Sequence, residues 1–328
     1  MRPQEEKVFD IKKIVLIVLG VVFLVVAVAA GIVFIPKLFE KPDEPVATTT
    51  ATAEPEEEKP KTPEKINLQL TVDKWLDTLS DRKNAEVMVY DLDNEAIIAR
   101  FQEDASIRIE SIYKMFVVYE GYYRIDHGIW NKDDSVGIGK NYDGKPFTYA
   151  ICLDYAVRYS YSPCAEALWS KIGHDQLQKI YNEKGFTGTN IQGITSTPSD
   201  LVKLYQMFWK HSDLSEDSWG AIKDSMINQD APKNAYSAMQ QNWRKGLPSG
   251  FATAKVYDKV GWWGDGNGHW NYYADAAFLN FPETTNNDGE TVPERNYIAI
   301  VLTRSTDPSE LVKLGRNIES AIKTADNY

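Results

Sequence analysis

The pattern of hydrophobic and polar positions changes twice along the chain, from short strand-like runs to helical periodicity and back. Residues 85–91 and 95–101 are short β-patterned runs, and Leu92-Asp93-Asn94 between them predicts a β-hairpin. A helix is predicted from about residue 111 to 125, and the region 130–228 is predicted to be helical. Strand patterns return at 254–260, 272–281 and 297–303, and a final amphipathic helix is predicted at 307–324.

The order of these elements predicts the fold class. Within the middle region, helical periodicity is carried by residues 147–159, 164–172, 175–183 and 199–210. Thr197-Pro198-Ser199-Asp200 is typical of a helix start, with proline at an early position and an acid in the first turn. We therefore expect an α+β (αβα) fold, in which both ends of the domain form an antiparallel sheet of about five strands. Helices flank this sheet and form a helical lobe, and a ligand is expected in the groove between sheet and lobe.

The N-terminal part of the chain contains a candidate membrane segment. The apolar run from Ile14 to Ile35 reaches about 33 Å at about 1.5 Å per residue, which is enough to cross a bilayer core. A cleaved signal peptide is the alternative, with Ala27-Val28-Ala29 resembling a cleavage site, but apolar sequence continues beyond it. More basic residues precede the run than follow it, which favours a cytoplasmic N-terminus. The basic residues are Arg2, Lys7, Lys12 and Lys13 before the run and Lys37 and Lys41 after it.

Four segments follow from this pattern. Residues 1–13 are predicted to be cytoplasmic, 14–36 to form a single transmembrane helix, and 37–65 to be a disordered linker, because Pro, Thr and Glu leave almost nothing to bury. Residues 66–328 form the expected domain outside the cell membrane, and we expect a monomer. The net charge of −11 argues against a nucleic-acid partner, which requires a basic surface.

The cysteines and histidines add little chemistry by themselves. Cys152 and Cys164 lie on either side of Ser160, and either a disulfide that clamps this turn or two buried thiols is consistent with the sequence. The four histidines are scattered without ligand spacing, so no metal site is predicted. No cofactor is expected either.

Candidate chemistry begins at Ser111-Ile112-Tyr113-Lys114. A serine and a lysine three residues apart lie on one face of a helix, where the lysine amine can accept the serine proton and create a nucleophile. The pattern alone is weak, since Ser80-Asp81-Arg82-Lys83 repeats it without a following apolar helix. Acyl transfer also needs a second hydroxyl and a cation. Ser160, before a predicted helix, and Lys259, in a strand pattern, are the candidates for these two groups. A second hydroxyl can protonate a leaving nitrogen, and a cationic strand edge that faces the groove can hold an anionic substrate.

These residues, in this order, resemble the penicillin-recognising serine hydrolases, and most closely the class A β-lactamases, whose motifs are S-x-x-K, S-D-N and K-T-G. The resemblance covers the chain from Val87 onward. It extends to context around the motifs, namely Val89-Tyr90-Asp91, Ser162-Pro163-Cys164-Ala165-Glu166-Ala167-Leu168, Thr195-Ser196-Thr197-Pro198 and Gly246-Leu247-Pro248-Ser249-Gly250. It implies catalytic roles for Ser111, Lys114, Ser160 and Lys259, and substrate contacts at Ser162, Val260, Gly261 and Trp262. The backbone N–H groups of Ser111 and Trp262 are then expected to face the developing oxyanion.

The chain also departs from the family pattern. Ser162 replaces the motif asparagine, Val260 replaces the motif threonine, and no Arg or Lys occurs between Gly261 and Glu294 to anchor a carboxylate. The segment 187–194 stands where the family has a loop with a catalytic glutamate, and it contains no acid. Glu183 is the nearest carboxylate along the chain, but it belongs to the preceding helical pattern. Because that glutamate activates the deacylating water, its loss predicts a long-lived acyl-enzyme.

Two functions remain open at this point, besides a degenerate scaffold in which the Ser–Lys pair survives by chance. The first is a membrane-anchored serine hydrolase that forms an acyl-enzyme at Ser111 with a β-lactam or a peptidoglycan peptide. The second is a non-hydrolytic domain that binds or senses such compounds. A cluster of aromatic residues beside the third motif, Trp262, Trp263, Trp270, Tyr272 and Tyr273, either packs in the core or forms an aromatic wall for a ligand.

Overall fold

The computed structural model describes residues 64–267 and 269–327. The predicted segments 1–13 and 14–36, and nearly all of the predicted linker 37–65, lie outside the described residues. In the described ranges, none of the helices combines the length and the apolar character that a bilayer crossing requires.

A five-stranded antiparallel sheet forms the centre of the domain, with strand order β2-β1-β11-β8-β7. The strands of the described residues are β1 (Ala85–Asp91), β2 (Ala96–Phe101), β3 (Ile107–Arg108), β4 (Ser135–Lys140), β5 (Pro146–Thr148), β6 (Thr195–Ser196), β7 (Lys255–Gly264), β8 (Trp270–Phe281), β9 (Thr284–Thr285), β10 (Thr291–Val292) and β11 (Arg295–Arg304). Strands from both ends of the domain thus build one sheet, and the predicted fold class is confirmed. Its order leaves β7 as an edge strand.

Helices cover both faces of the sheet. They are α1 (Gln69–Leu76), α2 (Lys114–Asp126), α3 (Tyr149–Arg158), α4 (Ser162–Ile172), α5 (His174–Glu183), α6 (Pro198–Lys210), α7 (Glu216–Ile227) and α8 (Pro308–Ala325). Side chains of β11 alternate between two apolar clusters, one shared with the helical lobe and one shared with α1 and α8. This double burial explains why residues 297–302 of β11 form an unbroken apolar run.

The helix start predicted at Thr197-Pro198 is present. The Thr197 side chain accepts a hydrogen bond from the Asp200 amide, and Pro198 begins α6. The bounds of the other predicted helices and strands agree with the structure to within a few residues.

Two parts of the structure differ from the sequence expectation. The region 130–228 is not helical throughout, because β4 and β5 form a hairpin within it. Gly137 and Gly139 in β4 have φ of 88° and 95°, a conformation that interrupts a helical pattern and that glycine adopts without strain. The helix predicted from residue 111 begins as a 3-10 turn over Glu110–Tyr113, and α2 starts only at Lys114.

Candidate active site

Ser111 lies on the 3-10 turn that leads into α2, and its side chain is partly exposed. Ile112 and Tyr113 on the same turn are buried, so the turn is anchored in the core while Ser111 faces outward. Glu110, immediately before it, adopts a φ of 48°, which is rare for a residue with a side chain. Strain of this kind is held in place by surrounding packing and is typical of functional sites.

The Lys114 amine is buried and makes three hydrogen bonds. Its Nζ donates to the Ser160 carbonyl oxygen at 2.6 Å, to Ser160 Oγ at 3.2 Å and to Ser162 Oγ at 3.0 Å. Within residues 64–267 and 269–327, the Ser111 hydroxyl has no hydrogen-bond partner. All three N–H groups of a charged Lys114 are therefore directed at the segment that carries Ser160 and Ser162.

The Lys259 amine meets the same serine from the sheet. Its Nζ donates to Ser160 Oγ at 2.9 Å and to the Val260 carbonyl oxygen at 2.8 Å. Two lysines from distant parts of the chain thus share one hydroxyl, and the structure brings three of the four predicted catalytic residues together.

Both amines are only about 1% exposed, and this burial determines their protonation. Burial, followed by the nearby charge of Lys259, lowers the pKa of Lys114 well below its ordinary value, while the Glu166 carboxylate opposes the shift. Burial lowers the pKa of Lys259 to about 7, against the opposing charges of Asp258 and Asp275. The site therefore favours a neutral amine at Lys114, which is the form that accepts a proton.

Ser160 is held in an unusual conformation between two helices. It lies in the short turn between α3 and α4 and has a φ of 49°. A disulfide joins Cys152 on α3 to Cys164 on α4, so of the two alternatives the structure contains the bridge. The bridge connects the two helices that support the Ser160 turn.

Gly261 brings the edge strand against the nucleophile turn. A Cβ atom at this position would lie 2.2 Å from the Ile109 carbonyl oxygen and 3.0 Å from the Ser111 amide nitrogen. Only a residue without a side chain allows the backbones to approach this closely. Gly261 thus sets the distance between β7 and Ser111.

The other proposed substrate contacts are placed differently. Ser162 is exposed at the start of α4, beside Lys114. The Val260 side chain is buried in the cluster on the opposite face of the sheet, so only its backbone borders the site. The Trp262 ring also lies on that face, stacked on Trp243 with ring centres 4.8 Å apart. The expected oxyanion contact from the Trp262 N–H group stays a prediction.

The aromatic cluster is divided by the sheet. Trp270 and Tyr273 pack against Trp262 in the buried cluster, which agrees with the core-packing interpretation. Trp263, on the other face of β7, is 52% exposed, and Tyr272 is only partly buried. The interpretation as an aromatic wall therefore applies to Trp263 and Tyr272 alone.

Buried carboxylates lie behind Lys259, which sequence reasoning did not identify. Arg244 Nη1 donates to Asp258 Oδ1 at 2.8 Å, and the Leu247 amide donates to Asp275 Oδ2 at 2.9 Å. Burial raises the pKa of both acids. Residue 258 could have been noticed because a charge inside a buried edge-strand pattern requires partners.

Glu166 is a further residue that the sequence did not mark as functional. Tyr113 donates a hydrogen bond from its hydroxyl to Glu166 Oε1, and the carboxylate acts electrostatically on Lys114. The signal available in the sequence was its spacing, since residues 162 and 166 are four apart and share one helix face. Glu183, in contrast, is exposed at the end of α5 and pairs with Lys179 at 3.9 Å.

The segment 187–194 runs close to the nucleophile. The Ile109 amide donates to the Ile194 carbonyl oxygen at 3.0 Å, and β3 pairs with β6 directly after this segment. Asp200 holds the segment by accepting hydrogen bonds from the Gly188 amide and from Thr189 Oγ1. The absence of a family-type catalytic glutamate here stays a prediction. In the part of the chain that the structure describes, no cluster of His, Cys, Asp and Glu suited to a metal ion occurs.

The fold and the Ser–Lys–Ser–Lys arrangement define a serine hydrolase of the kind that the motifs predicted. The β-lactamase enzyme family model matches residues 71–323, which is most of the chain, and the chain belongs to that family. No curated protein matches the chain.

Solved structures support the same fold. A β-lactamase from Chitinophaga pinensis has a TM-score of 0.60 at 15% identity, covering 77% of this chain and 98% of that one. The structure of PBP-A has a TM-score of 0.61 at 16% identity, covering 80% and 100%. An ancestral class A β-lactamase has a TM-score of 0.60 at 18% identity, covering 78% and 100%. At these identities the likeness shows the fold alone, and the predicted family resemblance is confirmed by the family match.

Proposed function

We propose that this protein is a membrane-anchored, extracytoplasmic serine hydrolase that forms an acyl-enzyme at Ser111 with a β-lactam or a cell-wall peptide amide and releases the acyl group slowly. The observation that carries the proposal is the convergence of the Lys114 and Lys259 amines on Ser160 Oγ. The membrane part rests on the apolar run within residues 14–36.

Acylation begins with a neutral Lys114. A neutral amine has two N–H groups and a lone pair, so one of the three contacts to the Ser160 segment is released and the lone pair becomes available. As Ser111 Oγ attacks the substrate carbonyl carbon, its proton moves to Lys114 and the carbonyl oxygen takes the negative charge. Backbone N–H groups of Ser111 and Trp262 are the proposed donors to this oxyanion.

Collapse of the tetrahedral intermediate breaks the carbon–nitrogen bond. The leaving nitrogen takes the Ser160 hydroxyl proton, and the Lys114 ammonium replaces that proton through the 3.2 Å contact between the two groups. Lys114 is then neutral again and Ser111 carries an ester. Lys259 stabilises negative charge on Ser160 Oγ during this transfer, because its amine is 2.9 Å away.

The experiment is a time course of intact mass after mixing the domain with benzylpenicillin. We expect an adduct of one penicillin that forms in the wild-type protein, persists, and is absent from Ser111→Ala. Ser80→Ala is the matched control, since residue 80 is exposed and begins the other S-x-x-K pattern. An adduct that survives Ser111→Ala would exclude this serine as the nucleophile, and an adduct that disappears within seconds would refute slow release.

A second candidate is a binding or sensing domain that is not a catalyst. Burial of Val260 away from the site favours it, because the family threonine that this residue replaces contributes a hydroxyl to the substrate. In this case the same time course gives no adduct, while the protein still binds penicillin reversibly.

A further inference from the structure

A cation and an exposed aromatic ring lie together beside the nucleophile turn. The guanidinium carbon of Arg108 is 5.6 Å from the ring centre of Trp263 and 5.9 Å from that of Tyr272. Among the described residues, Trp263 is the most exposed tryptophan, at 52%. The Arg108 side chain is 40% exposed. We call these two residues, with Tyr272 and Glu110 at their base, the Arg108–Trp263 surface.

The location of this surface is fixed by the contacts around Gly261. Arg108 belongs to β3 and directly precedes Ile109, whose carbonyl oxygen abuts Gly261. Trp263 follows Gly261 by two residues, which puts it on the same face of β7 and about 7 Å farther along. Lys259 lies at the same spacing in the opposite direction and holds Ser160. Ser111 therefore stands between the Ser160 end and the Trp263 end of the strand.

The order of Lys259, Ser111 and Trp263 along β7 indicates where each half of a substrate lies. This assignment rests on the proposed function. Ser160 gives its proton to the leaving nitrogen, so the leaving half extends toward Lys259. The half that stays attached to Ser111 then extends along β7 toward Trp263. The Arg108–Trp263 surface is thus positioned to contact the acyl half.

The guanidinium has free hydrogen-bonding capacity. Arg108 Nε donates to Glu110 Oε1 at 2.7 Å, and no described residue accepts a hydrogen bond from its two terminal nitrogens. These nitrogens carry four N–H groups in a planar fork that matches a carboxylate. The carboxylate of Glu110 is mostly buried and engages the Nε side, so it holds the arginine in position over the rings.

We propose that Arg108 and Trp263 form a subsite for the acyl half of the substrate, which takes a carboxylate attached to an aromatic or apolar stem. The carboxylate pairs with the terminal nitrogens of Arg108, and the stem packs on the open face of Trp263. The preferred substrate class is therefore an acyl donor with a negative charge close to its scissile bond.

Three penicillins that differ at a single carbon of the acyl side chain test this proposal. Benzylpenicillin is uncharged there, carbenicillin adds a carboxylate and ampicillin adds an ammonium group. The measured quantity is the second-order rate constant of adduct formation for each compound. In the wild-type protein we expect carbenicillin to react faster than ampicillin, and Arg108→Gln to lower the carbenicillin-to-benzylpenicillin ratio about tenfold, as loss of a charged hydrogen bond predicts.

Arg100→Gln is the matched control, because its side chain is 59% exposed on β2 and pairs with Glu103. It should leave the ratio unchanged. Trp263→Ala should slow both benzylpenicillin and carbenicillin, while Trp263→Phe should restore most of the rate. A ratio that Arg108→Gln does not change, or a preference for ampicillin, would overturn the subsite.

Reversible binding separates this inference from the proposed function. Ser111→Ala protein is titrated with carbenicillin and with benzylpenicillin, and the indole signals are followed by NMR. Tighter binding of carbenicillin that is lost with Arg108→Gln supports the subsite. Absence of an adduct in the wild-type protein would contradict acyl transfer but would leave this support for the subsite intact. Equal affinities, or no binding of either compound, would refute the subsite.

Discussion

Replacing Gly261 by alanine tests whether the close approach of β7 positions the nucleophile. The added methyl group would lie 2.2 Å from the Ile109 carbonyl oxygen, whereas an ordinary van der Waals contact of a Cβ atom is 3.4–4 Å long. The two nearest atoms, the Ile109 carbonyl oxygen and the Ser111 amide nitrogen, belong to the backbone and cannot rotate away. The strand and the 3-10 turn must therefore separate by about 1 Å. Overpacking of this kind costs about 1–3 kcal/mol of stability, and a 1 Å misplacement of reacting groups costs about a hundredfold in rate.

The assay measures the acylation rate constant with a fluorescent penicillin and the thermal midpoint on the same samples. We expect Gly261→Ala to lower the rate about a hundredfold while most of the protein remains folded. Gly220→Ala is the control, since residue 220 is exposed in the interior of α7 with no atom within 4 Å of an added Cβ. It should stabilise the protein by up to about 1 kcal/mol and leave acylation unchanged. Unaltered acylation in folded Gly261→Ala protein would refute the claim that this glycine sets the position of Ser111.

Two further predictions concern the surroundings of the site. Reducing the Cys152–Cys164 disulfide should lower the free energy of unfolding by about 3 kcal/mol, as expected for a loop of this length. Denaturant unfolding with and without reductant measures this loss, and an unchanged unfolding midpoint would contradict the prediction. Glu166→Gln should move the rising limb of acylation against pH to lower pH, because Glu166 raises the pKa of Lys114 and the neutral amine is the reactive form. Rate profiles from pH 5 to 9 measure the shift, Glu183→Gln is the control, and a shift to higher pH would show that the carboxylate acts in another way.

Much of the fold could be predicted because its elements carry local signals. The β-patterned run of β1 and the cap at Thr197 depend on neighbouring residues, and both predictions are confirmed. The β4–β5 hairpin was missed because its strands are short, and β4 is largely exposed apart from Val136. An exposed, glycine-rich hairpin leaves no alternation of buried and exposed positions for a sequence to show.

The site could be predicted only as far as its motifs reach. Lys114, Ser160 and Lys259 were identified from order and spacing, and the structure brings them together. The surroundings of each side chain could not be predicted from the sequence, because they are formed by residues of other helices and strands. The alternation of β7 decided that Val260 and Trp262 turn away from the cleft while Gly261 and Trp263 face it, and a sequence does not show which face is which.

The pairing of β1 with β11 has a consequence for biosynthesis. Ala85 lies opposite Thr303, so one edge of β1 stays without its partner strand until β11 has been synthesised. Closing so long a loop delays sheet formation, and β7 cannot join until β8 and β11 are in place. Translation therefore yields a complete nucleophile turn before the lysine that must face it is fixed. A nascent chain that ends before β11 lacks the assembled centre, and reactivity begins only after β11 has been synthesised.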